Sequence, residues 1–146
     1  MEAINKQWFE VVIQFTTINE QGEQVQERER YAIDALSFTE AEERAAKMAN
    51  GYTDFLIKSE TQAPYSEILF NETQDMVFYK VTIQLSITNE RTGKEKRQNS
   101  VLLVQADNIT NVLSSIREYM STSVVDWEII SITKTRVIGY HINKND

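Results

Sequence analysis

Trp8-Phe-Glu-Val-Val-Ile-Gln-Phe-Thr-Thr-Ile-Asn-Glu20 and, seventy residues later, Phe78-Tyr-Lys-Val-Thr-Ile-Gln-Leu-Ser-Ile-Thr-Asn-Glu90 read as the same sentence written twice. Val11/Val81, Ile13/Ile83, Gln14/Gln84, Asn19/Asn89 and Glu20/Glu90 are identical, and Trp8/Phe78, Phe9/Tyr79, Phe15/Leu85 and Thr16/Ser86 agree in character. One inserted residue brings Gly22 onto Gly93, Tyr31–Ala35 onto Leu102–Ala106, and Phe38-Thr39 onto Ile109-Thr110. A second insertion aligns Phe55, Ile57, Ser59 and Thr61 with Trp127, Ile129, Ser131 and Thr133. Matches kept in order over nearly the whole chain indicate an internal duplication, with repeats at about 8–70 and 78–142.

Each copy carries the same local signals. Phe9, Val11, Ile13 and Phe15 alternate with their neighbours, as do Tyr79, Val81, Ile83 and Leu85, which is the period of a half-buried strand. A Gly-containing turn then predicts a hairpin back into a second strand, over roughly 25–35 and 96–106. A helix follows. Ser37-Phe-Thr-Glu40 forms a capping box before Ala41, Ala45 and Met48, with Gly51 as its stop; in the second copy Asp107 or Asn108 caps Ile109, Val112, Ile116 and Tyr119. The stretches 55–70 and 127–142 are each one bent strand or two short ones. Pro64 breaks the first, because it cannot donate to a ladder, and Gly139 is the counterpart in the second.

The expected fold class is therefore α+β: a β-β-α-β(-β) unit present twice, forming a mostly antiparallel sheet with two helices on one face. The polar link Asn71-Glu-Thr-Gln-Asp75 is short, so the expected count is a single domain over residues 1–146. At 146 residues and 41% hydrophobic side chains the chain can fill a core, which excludes a disordered protein.

Composition also removes function classes. There is no cysteine, so disulfides, thiolate metal sites and cysteine nucleophiles are excluded. The single histidine, His141, stands near the end of the chain with no orienting acid in view. Four glycines make no phosphate-cradling loop. Glu40, Glu42 and Glu43 open a helix, where carboxylates complement its dipole; nothing in their spacing calls for a metal. Asn71-Glu-Thr73 and Asn108-Ile-Thr110 match the glycosylation triplet, which has no meaning without export. No apolar run is long enough to cross a bilayer and no apolar signal core opens the chain. The expectation is a cytoplasmic, non-enzymatic protein with no cofactor, no metal and no membrane partner.

Net charge is −7, but it is unevenly placed. Residues 1–73 hold 6 basic and 14 acidic side chains, and residues 74–146 hold 9 and 8. An acidic average argues against nonspecific duplex binding, whereas the second half can host a local anion site. Two features suggest where. Trp8, Gln14, Phe78, Lys80 and Gln84 fall on the strand face away from the expected helices, where rings could stack bases and polar groups hydrogen-bond. The second hairpin adds Arg91, Lys94, Lys96 and Arg97, able to grip phosphates or, more plainly, to guard an edge strand. Single-stranded nucleic-acid binding on that face is the most specific reading. The alternative is a protein-interaction or assembly module, a homo-oligomer or a contact with a phage or host protein, through the uncovered face or an edge strand.

Trp8-Phe9, Asp34-Ala-Leu-Ser-Phe-Thr-Glu-Ala-Glu42, Tyr65-Ser-Glu-Ile-Leu-Phe70 and Leu102-Leu-Val-Gln-Ala106 together resemble an uncharacterised domain family of Bacteroidetes-type bacteria and their bacteriophages. The resemblance spans nearly the full chain and implies an intracellular protein of bacterial or phage origin. It brings no activity, substrate or site residues. The phrase Ser37–Glu42 has no counterpart in the second half beyond Ile109-Thr110, so a role tied to it would be one-sided.

Overall fold

A computed structural model describes residues 7–71 and 77–142. In chain order it holds β1 (Gln7–Ile18), β2 (Gln24–Ala35), α1 (Phe38–Met48), β3 (Thr53–Ala63), β4 (Glu67–Leu69), β5 (Phe78–Thr88), β6 (Glu95–Gln105), α2 (Ile109–Tyr119), β7 (Asp126–Lys134) and β8 (Val137–His141). The class is α+β, and the sheets are mostly antiparallel. Instead of one sheet there are two, ordered β3-β1-β2-β8 and β4-β6-β5-β7.

The chain divides into two compact units, Met1–Pro64 with Val137–Asp146, and Tyr65–Arg136. In the first, β1 pairs antiparallel with β2 and β3, and β8 lies parallel to β2. In the second, β5 pairs antiparallel with β6 and β7, and β4 lies parallel to β6. The pattern is the same, but the fourth strand of each sheet comes from the other sequence repeat. Repeat boundaries and unit boundaries therefore do not coincide. The link 72–75 lies outside the described residues.

Local chemistry sets the elements as the residues suggest. Asn19 Oδ1 accepts from the amides of Gln21 and Glu23, and Asn89 Oδ1 from those of Arg91 and Thr92. Gly22 and Gly93 take φ of 79° and 69°, which a side chain would strain, so each hairpin turns on an Asn–Gly pair. Ser37 Oγ caps α1 through the Glu40 amide at 3.1 Å, and Asn108 Oδ1 caps α2 through the Asn111 amide at 2.9 Å. The long end stretches are two strands each. Pro64 breaks the first as expected, but Gly139 does not break the second, which is interrupted at Thr135–Arg136. Gly139 sits inside β8, where a Cβ would come within 3.1 Å of the Tyr31 ring.

One core forms under each helix. Phe9, Val11, Ile13, Ile33 and Ala35 meet Ala41, Ala45 and Ala49. Tyr79, Val81, Ile83, Leu102, Val104 and Ala106 meet Val112 and Ile116. The small alanines of α1 against the larger Val112 and Ile116 of α2 fit sheets of unequal side-chain bulk, since Tyr31 and Ile33 stand where the second sheet has Leu102 and Val104. Among the described residues no helix is long and apolar enough to cross a membrane.

Candidate functional site: sheet face, basic hairpin and open edges

The strand face turned away from α1 is not the solvated platform its alternation suggested. Trp8 is 9% exposed and sits on the rung between Asp34 and Ala63; Phe78 is 0% exposed beside Gln105. A ring without a free face cannot stack a base. Gln14 is buried too, its Oε1 accepting from Arg28 Nε at 3.1 Å. Lys80 is half-buried next to Leu103 and Thr133, and Gln84 Nε2 donates to Asn99 Oδ1 at 3.3 Å. Periodicity identified the face correctly and its exposure wrongly, because alternation says which side a residue is on and nothing about what covers that side.

Arg91, Lys94, Lys96 and Arg97 do come together, at the β5–β6 tip, and all four are exposed. Among the described residues, Arg97 of these four pairs with an acid, Glu95 at 3.7 Å. Arg97 shares a face with Ser86, while Lys96 shares the opposite one with Ile87. Phe78 begins β5, ten residues from its hairpin end, or about 33 Å of strand. The basic tip and the buried Phe78 ring therefore make no common site.

What stays open is backbone. Among the described residues, the outer edges of β3 and β7 have no neighbouring strand. Each edge has a bulge at the matching place, Lys58 lying unpaired between Ile57 and Ser59 and Ile130 between Ile129 and Ser131, and β3 has a second irregularity between Leu56 and Thr53. A lysine there repels edge-to-edge pairing; an isoleucine, 49% exposed, invites it.

Four polar clusters escaped the sequence reading. In the first unit the Arg44 guanidinium donates to the Asp34 carboxylate at 2.8 Å and to the Asp34 carbonyl, and pairs with Glu40 one turn earlier. In the second, Ser115 and Gln105 stand at the matching places, and Asn71 fills the gap: its Nδ2 donates to the Gln105 carbonyl at 2.5 Å and to Ser115 Oγ at 2.8 Å. Both devices satisfy the same carbonyl at the end of the second strand of the repeat. The available signal was Asp34 inside the apolar run Tyr31-Ala-Ile-Asp-Ala35, which demands a cation.

Glu29 Oε1 accepts from the hydroxyls of Tyr31 at 2.9 Å and Tyr52 at 2.8 Å. Burial pushes the Tyr31 phenol far above its ordinary range, and the hydrogen bond to Glu29 raises Tyr52. Both phenols are thus held as neutral donors, the opposite of an activated nucleophile. Across the same sheet face Glu60 is pushed up to about 7 by burial and by its hydrogen bond and repulsion with Glu42. Burial and the acid beside it both favour the protonated form of Glu60.

A groove of about 360 Å³ lies between α2 and β4, lined by Ile68, Leu69, Phe70, Asn71, Ser115, Glu118 and Tyr119. Its serine accepts from Asn71 Nδ2 at 2.8 Å. Among the described residues no three His, Cys, Asp or Glu side chains gather in a way that could hold a metal.

No curated protein and no solved structure matches the chain. A family model does, over residues 7–142, and the chain belongs to that family, the domain of unknown function DUF4494.

Proposed function

We propose that the chain is a non-enzymatic protein-interaction module, cytoplasmic and of bacterial or phage origin, that receives an extended segment of a partner at a sheet edge. The observation that carries this reading is the outer edge of β7, nine residues long: among the described residues no strand lies on that side, and an exposed isoleucine stands at the bulge where the companion edge has Lys58. Strand addition supplies main-chain hydrogen bonds for affinity and a side-chain pocket for specificity. Burial of Trp8 and Phe78 takes the stacking groups from the nucleic-acid reading and leaves it only the basic hairpin.

The test is capture by the full chain from a nuclease-treated lysate, with Ile130→Lys as the matched variant, beside fluorescence anisotropy of a labelled single-stranded oligonucleotide at low salt. A protein held by the wild type and lost with Ile130→Lys is the expected result. Saturable oligonucleotide binding with no protein retained would replace this reading with the nucleic-acid one.

A further inference from the structure

The fourth strand of each sheet is short, and it covers only one end of its neighbour. β8 meets β2 from Arg30 to Ile33, and β4 meets β6 from Leu102 to Val104, with the Ser66 amide adding one bond to the Val101 carbonyl. Among the described residues, the hairpin ends of both strands, residues 24–29 of β2 and 95–100 of β6, therefore have no strand on their outer side, and most of these residues are exposed. The two edges have equal length and opposite charge. From residue 20 to 29 the first hairpin has Glu20, Glu23, Glu27 and Glu29 against Arg28 alone. From residue 90 to 100 the second has Arg91, Lys94, Lys96 and Arg97 against Glu90 and Glu95.

We propose that these edges pair with each other between copies of the chain, the acidic β2 edge of one against the basic β6 edge of the next. Identical edges repel at this charge density, and unlike edges attract, so the charges select the head-to-tail partner and reject the two-fold one. Backbone pairing supplies the contact. Because the two surfaces differ, the assembly is heterologous: a ring if the rotation closes, an open chain otherwise. The basic hairpin thereby gains a partner without any polyanion. This inference rests on the protein-interaction reading but uses different edges from β7, so the two can fail separately.

Sedimentation velocity of the full chain, over a range of concentrations at low salt, tests it with two triple variants. Lys94→Glu, Lys96→Glu and Arg97→Glu together make both hairpins acidic; Glu20→Lys, Glu23→Lys and Glu27→Lys together make both basic. The wild type is expected to associate, each variant alone to stay monomeric, and an equimolar mixture of the two to associate again. Raising salt from about 0.1 M to about 1 M, which shortens the screening length from about 10 Å to about 3 Å, should weaken the wild-type assembly. A monomeric wild type overturns the proposal, and so does a mixture that fails to recover. The chain has no cysteine, so Gln26→Cys and Gln98→Cys give an independent readout in which charges stay untouched. Disulfide dimers should form in the mixture of the two and not with either alone; equal cross-linking in all three samples overturns the head-to-tail pairing. A monomer that still captures an Ile130-dependent partner defeats this inference and leaves the module reading standing.

Discussion

The two units follow one pairing pattern with different chemistry at the same places. Under α1 the carbonyl ending β2 is held by a buried arginine that also neutralises Asp34; under α2 the matching carbonyl is held by the neutral amide of Asn71. Tyr31 lies opposite Gly139, where Leu102 lies opposite Glu67. Glu60 occupies a position that is Ile132 in the other sheet, each aligned with the same central-strand valine. The first unit thus carries buried charge and paired acids, and the second replaces them with amides and apolar groups. One pairing pattern accommodates both solutions.

The largest expected effect comes from the ion pair. Arg44→Ala leaves the Asp34 carboxylate buried without its guanidinium and should cost about 3–5 kcal/mol in chemical denaturation. Asn71→Ala removes only neutral hydrogen bonds and should cost about 1–3 kcal/mol. Equal losses would break the contrast between the units.

Gly139→Ala comes next. Its Cβ would press on the Tyr31 ring at 3.1 Å, for a loss of about 1–3 kcal/mol. Tyr31→Leu in the same chain should recover part of it, as the second unit manages with Leu102. No recovery would mean that the glycine is needed for something other than room for the ring.

The smallest effect is a slope. Glu60 titrates near 7 when folded against an ordinary 4.5, so the folded state holds a proton that the unfolded chain has released between those values. Stability should fall as pH rises from about 4.5 to about 7 and level off above. Glu60→Gln should flatten that slope and raise the melting temperature at pH 8 relative to wild type. An unchanged slope would remove the raised Glu60 from the account.

Strand, hairpin and helix positions were legible because alternation, Asn–Gly turns and Ser37 or Asn108 caps act within a few residues. The exchange of fourth strands was not. β4 and β8 have the same local pattern whichever sheet they join, and the choice is made by long-range contacts that periodicity does not record. Arg44 gave no local signal of its role, since its partner Asp34 stands ten residues earlier in a strand. Trp8 and Phe78 misled for a related reason: their side of the strand was readable, their covering was not. The basic hairpin, by contrast, is local and lies where its residues indicate.

Amide exchange on a chain ended after Arg136 tests the strand exchange most directly. Removing β8 should strip protection from Arg30–Ile33 in β2, a strand of the first repeat, while Leu102–Val104 in β6 stay protected by β4. Loss of protection at Leu102–Val104 with Arg30–Ile33 unchanged would contradict it, because β8 would then belong to the sheet of its own repeat.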